Sequence, residues 1–86
     1  MLKIKGKIKT IGELITFDSG FKKKEFVIET EDKYPQLIKF ELVKDNTCLV
    51  DFLEENAPVE VFFNIRGNEY KEKIYNSLQA WKVDIC

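Results

Sequence analysis

The 86-residue sequence contains no histidine. It therefore lacks the commonest general base near neutral pH and the commonest metal-ligating side chain. Cysteine occurs twice, at Cys48 and Cys86, too few for a zinc site by themselves and too few for a disulfide framework. We read both as free thiols of a reducing compartment, with an intermolecular bond open to Cys86 because a terminal residue is reachable. Hydrophobic runs are short, and none approaches the roughly 18 residues needed to span a bilayer. Met1-Leu2-Lys3-Ile4-Lys5-Gly6-Lys7-Ile8 alternates charge and hydrophobe where a signal peptide would carry an unbroken apolar stretch. A cytoplasmic location without membrane contact is expected. A glycine-rich phosphate loop is missing too. Glu29 and Glu31, or Glu54 and Glu55, have no nucleophile with a base beside it and read as solvated acids. We expect no enzymatic activity, no cofactor and no metal.

What is present is enough apolar material for one small folded domain over 1–86. Hydrophobic residues make up 44% and charged residues 34%, which excludes disorder. Net charge is −1, yet residues 1–24 carry seven lysines against Glu13 and Asp18, and the acids are concentrated after them. Lys3, Lys5, Lys7 and Lys9 suit a strand edge protected against aggregation. Lys22, Lys23 and Lys24 repel one another and gain most from a nearby anion, so they are candidate phosphate contacts.

Period-two alternation dominates. Leu2, Ile4, Gly6 and Ile8 share one face of a first strand, and the pattern then changes phase to Ile11, Ile15 and Phe17, which requires a bulge or coil. Asp18-Ser19-Gly20 is a turn. A second strand runs from Lys24 to Thr30, and a third carries Ile38, Phe40 and Leu42 on one face. Asp45-Asn46-Thr47 reads as the cap of a helix of two to three turns, with Leu49, Val50, Phe52 and Leu53 at helical spacing and Asn56-Ala57-Pro58 as its stop. Val59, Val61, Phe63 and Ile65 alternate along a fourth strand. Gly67 to Lys73 reads as a hairpin loop, and Ile74 to Ile85 as the fifth strand. Phe26, Phe40, Phe52 and Phe63 fall on the faces assigned to the core.

This order, with a long bent first strand and one helix between strands three and four, predicts a mostly β, five-stranded OB-fold barrel. An SH3-like barrel, the main rival, would not place a capped helix there. Fold alone does not fix function.

The segments Tyr34-Pro35-Gln36-Leu37-Ile38-Lys39-Phe40, Ile65-Arg66-Gly67-Asn68-Glu69-Tyr70 and Asn76-Ser77-Leu78-Gln79-Ala80-Trp81 resemble a small family of single-domain OB-fold proteins of unknown function. That family is similar to bacterial single-stranded DNA-binding proteins. The likeness runs from about Ile4 to Ile85. It implies base stacking by an aromatic before strand three and by another between strands four and five, the positions of Tyr34 and Tyr70. The tryptophan such proteins carry at the tip of the second hairpin has no counterpart around Glu31-Asp32-Lys33. Their acidic, partner-recruiting tail has none after Ile85. Weak binding, with partners recruited by another surface, is the expectation.

The residues themselves support the same chemistry. A single-strand site needs cations that follow the backbone and aromatic faces that take bases. Tyr34 and Tyr70 stand in loops beside charges, where stacking and simple surface packing are both open. Phe62, Asn64 and Arg66 share the outward face of strand four, and Arg66 can pair with a phosphate bidentately or stack. That face suits a nucleic-acid groove or a subunit interface. Trp81 either extends a stacking platform with Tyr75 and Gln79 or plugs the barrel end. Lys39 and Lys73 complete the set. We therefore expect single-stranded nucleic acid as partner, DNA ahead of RNA, and a homodimer or larger homo-oligomer. A protein-interaction module without nucleic-acid binding is the second reading.

Overall fold

Lysine and hydrophobe alternate through β1 (Leu2–Ile11), and the computed structural model, which describes residues 1–86, turns Ile4, Gly6 and Ile8 inward. The pairing register slips between Ile8 and Thr10, so Lys9 is the extra residue of a bulge that brings Ile11 back toward the core. After a short break the chain continues as β2 (Ile15–Thr16), and the turn at 17–21 leads into β3 (Lys22–Thr30). Gly20 has φ +90°, a backbone setting that glycine adopts without strain. β1, β2 and their bulge are the long bent first strand expected from the change of phase.

β4 (Leu37–Val43) pairs with β3, setting Phe26 opposite Phe40 with ring centroids 5.4 Å apart. The last two strands, β5 (Pro58–Tyr70) and β6 (Lys73–Ile85), form one long antiparallel ribbon. β1 pairs with β5 through Leu2–Lys7 and with β3 through Gly6–Ile11. The hydrogen-bonded ring is closed only by the parallel pair Glu41–Gln79 between β4 and β6. Ile8, Phe26, Ile28, Phe40, Leu42, Val50, Val59, Val61 and Ala80 fill its interior. Gly6 lies where β1 parts from β5 to join β3, and a Cβ there would stand 2.5 Å from the Glu29 carbonyl oxygen.

Three local expectations are corrected. No α-helix joins β4 to β5: a 3-10 helix at Lys44–Cys48 is followed by turns through Phe52. Its hydrogen bonds span three residues, Leu49 N–H to Asn46 O at 3.1 Å and Asp51 N–H to Cys48 O at 3.1 Å. Thr47 Oγ1 donates back to Lys44 O instead of capping a helix start. Val50 is fully buried here and Leu49 and Leu53 pack partly buried against the core, but Phe52 turns out, so the four do not make the single buried stripe that stabilises an amphipathic helix. Phe52 is consequently outside the core, 93% exposed. The third correction concerns Gly67–Lys73, which is mostly ribbon. The turn is Lys71-Glu72 alone, both at positive φ (50° and 65°), as a two-residue type I′ hairpin requires.

The opposing phases in the final strand are resolved by a second bulge. Phe62 pairs with Lys82 and Phe63 with Ala80, leaving Trp81 as the extra residue. Leu78, Ala80 and Val83 can thus all face inward. Trp81 does not plug the barrel end. It lies on the outer side against Phe62, centroids 5.6 Å apart.

Candidate nucleic-acid interface

Alternation sends even-numbered residues of β5 outward from the core: Asn64, Arg66, Asn68 and Tyr70. Across the ribbon they oppose Gln79, Ser77, Tyr75 and Lys73. The outward residues of β3 and β4 include Lys23, Glu41 and Val43. These two surfaces meet over the Glu41–Gln79 closure and enclose a groove of about 700 Å³, continuous with a second hollow beside Lys44 and Asn46. Phe21 forms one wall, braced by Phe17 at a centroid distance of 5.9 Å, and Tyr75 stands on the other. Arg66 lines both hollows and forms no ion pair within the chain. The groove thus offers a planar cation, two aromatic surfaces and amide side chains for hydrogen bonds.

The lysine trio is divided by the strand's alternation. Lys23 points to the groove and pairs with Glu41 at 3.0 Å; that hydrogen bond is the main reason its ammonium pKa is raised above 10.5, desolvation opposing and the charges of Glu41 and Glu25 adding to it. Lys24 points toward the barrel end and binds Asp51 Oδ1 at 2.9 Å, its side chain 15% exposed. It clamps the connection after the 3-10 helix, where a phosphate would have to compete with Asp51 for it. Lys22 alone of the three is unpaired. Lys39 meets Glu25 at 3.5 Å on the outer face of β4.

Tyr70 and Lys73 face each other at the ribbon tip, and Tyr70 is 60% exposed with only the Lys71 ammonium near its ring, at 5.4 Å. Tyr34 is exposed in the loop between β3 and β4, which Thr30 closes by accepting the Gln36 N–H at 2.9 Å. That loop lies at the opposite end of β4 from the groove, about 20 Å away along the strand. Phe62 is outward as expected but only 7% exposed, covered by Trp81 and by the ammonium groups of Lys82 (4.9 Å) and Lys3 (5.7 Å). It cannot offer a ring face to a base without displacing them. Phe21 and Lys44 are groove residues that the sequence pattern does not mark. The signal for Phe21 was its place directly after the turn and before the lysine trio.

A family model described as a domain of unknown function, DUF3127, matches residues 3–84. The chain belongs to this family. No curated protein matches the sequence. Among solved structures, the DUF3127 chain is similar to Rim1, the mitochondrial single-stranded DNA-binding protein of S. cerevisiae, with a TM-score of 0.80 at 13% identity, over 98% of this chain and 91% of that one. It is similar to the dimeric N-terminal domain of PriB from Thermoanaerobacter tencongensis, TM-score 0.72 at 18% identity, over 99% and 93%. The single-stranded DNA-binding protein of Thermus aquaticus matches at TM-score 0.78 and 12% identity, over 98% of the DUF3127 chain and 48% of its own. At these identities the likeness establishes the OB fold. No helix of the DUF3127 domain is long and apolar enough to cross a membrane.

Proposed function

We propose that the domain is a non-enzymatic binder of single-stranded nucleic acid, DNA in the first place. The observation that carries this reading is the groove in which the chain's single arginine, Arg66, forms no ion pair and stands with Phe21 and Tyr75, Glu41 being engaged by Lys23. A strand lying there would place phosphates near Arg66 and Lys44 and rest bases on Phe21, Tyr75 and, at the ribbon tip, Tyr70 beside Lys73. Lys39 and Tyr34 extend the same path along β4. Every base has a π-face, so such a site has little sequence preference. The likeness in fold to Rim1 and to the Thermus protein supports the reading. Two copies acting together would double the contacts one small domain can offer.

The test is a titration with oligo(dT), oligo(U) and duplex at several salt concentrations. Three to four phosphate contacts in the groove give a log–log slope of roughly −2 to −3 for a single strand short enough to fill the groove alone. Absence of binding to an oligo(dT) of about 30 nucleotides at low salt and micromolar protein would overturn the reading; oligo(U) decides between DNA and RNA.

A protein-interaction role is favoured by one specific observation: Ile65 and Ile74 lie exposed on the ribbon face opposite Arg66 and Tyr75. We propose that a second copy covers this face, and sedimentation showing a lone 10.1 kDa species at high concentration would remove that proposal.

A further inference from the structure

Of the chain's fourteen bases, Lys23, Lys24, Lys39 and Lys82 are held by carboxylates within 4 Å. The unpaired ones are spread unevenly, and the longest regular row is Lys3, Lys5 and Lys7 on the outer face of β1, all exposed. Alternate residues of a strand lie about 7 Å apart, a repeat close to that of the phosphates in an extended single strand. Lys9, in the bulge, leaves the row. Edge protection bears on Lys3 and Lys5, whose stretch of β1 is paired with β5 alone, but not on Lys7, which is paired with both β5 and β3.

The row ends at an aromatic site. Lys3 is the cross-strand partner of Phe62, and its ammonium and that of Lys82 flank the Phe62 ring while Trp81 leans over it, 37% exposed. One step further along β5, Asn64 faces Gln79, and Gln79 lines the groove. The surface from Arg66 to Lys7 is therefore one outward face of β5, β6 and β1. Its acids are Glu60, opposite Lys5, and Asp84, 3.7 Å from Lys82, with Glu29 opposite Lys7 on β3.

We propose that this face is a second subsite for the same strand, resting on the reading of the groove as a single-strand site: the chain leaves the groove over Asn64 and Gln79, a base meets the exposed part of Trp81, and the following phosphates run along Lys3, Lys5 and Lys7. Short strands fill the groove alone, and longer ones cover both surfaces. The ligand class is a flexible polyanion with unstacked bases, which a rigid duplex cannot match.

Trp81 is the only tryptophan, so its emission reports on this subsite directly. Oligo(dT) of about 6 and about 16 nucleotides, within the site sizes seen for single OB domains, would be titrated with binding followed independently by anisotropy. We expect the longer strand to quench Trp81 and the shorter to bind without doing so. Lys3→Gln/Lys5→Gln/Lys7→Gln should reduce the salt slope for the longer strand by about 2, from three contacts at about 0.7 each, and leave the shorter strand's affinity within twofold. Arginine at the same three positions should restore the slope, and Glu60→Gln should tighten the longer strand. Full binding of the longer strand with unchanged Trp81 emission, or an unchanged slope in the folded triple variant, would overturn the subsite while leaving the groove reading intact. Binding of neither oligonucleotide would overturn the groove reading, and the subsite with it.

Discussion

Phe62 and Trp81 meet ring to ring at 5.6 Å on the outside of the barrel because a bulge gives β6 one residue more than β5 at that point. The extra residue is a tryptophan, and it shelters a phenylalanine that would otherwise face water. Phe62→Ala should therefore behave like a core truncation and cost about 3 kcal/mol. Phe52→Ala, at a position with helical spacing but full exposure, should stay within about 0.5 kcal/mol of wild type. Urea denaturation of both variants checks the pair, and equal losses would contradict this arrangement.

Tyr70 is 60% exposed at the ribbon tip, opposite Lys73 and with the Lys71 ammonium over its ring. Tyr70→Ala should leave the melting temperature unchanged and weaken single-strand binding by about 1–3 kcal/mol, whereas Tyr70→Phe keeps the ring face and should bind as wild type. Calorimetry and anisotropy on the same samples separate the two effects.

Much of this architecture is legible in the sequence, and the reason is burial on one face. Phe26, Phe40 and Phe63 alternate with charged or polar residues, and each turns inward. The change of phase after Ile8 required a bulge, and the bulge is at Lys9. The connection at 44–58 is harder, because helical spacing of Leu49, Val50, Phe52 and Leu53 looks the same whether an interior is available to take the whole stripe or only a barrel end that takes Val50 fully, Leu49 and Leu53 in part and Phe52 not at all. The ribbon turn was hidden for a related reason: Gly67 and Asn68 have turn chemistry, yet the positive φ values fall on Lys71 and Glu72. Pairings such as Lys24 with Asp51 depend on contacts 27 residues apart, which no local pattern records. The groove likewise exists only once the ribbon bends over β4, so Phe21 gained its role from tertiary structure.

At Gly6 the obstacle to any side chain is backbone, the Glu29 carbonyl, in a strand tied on both sides. Gly6→Ala should destabilise by about 1–3 kcal/mol through forced movement of β1 or β3. Thermal unfolding would register it, and a neutral result would mean the strands separate more easily than their register implies.

Lys23 supplies a pH test. Its folded pKa lies above 10.5, chiefly through the Glu41 hydrogen bond. The stabilisation this pair gives is fully present below pH 10.5 and lost as pH rises through the elevated folded value. Both side chains are partly exposed, so the contribution is small, about 0–1 kcal/mol. The stability gap between wild type and Lys23→Met should be constant from pH 7 to about 10 and close above that range. A gap that widens with alkalinity would contradict the assignment.

The closure between β4 and β6 rests on the single pair Glu41–Gln79, whereas the β5–β6 ribbon is paired along its whole length. Opening that seam sacrifices little backbone pairing, so the amides beside it should exchange with solvent by local breathing, faster than those deep in the ribbon. The seam is also the groove floor. A ligand that touches Lys23 on one bank and Arg66 on the other would hold β4 and β6 together, and slowed hydrogen exchange at the seam would accompany occupancy even where no atom of the ligand reaches those amides.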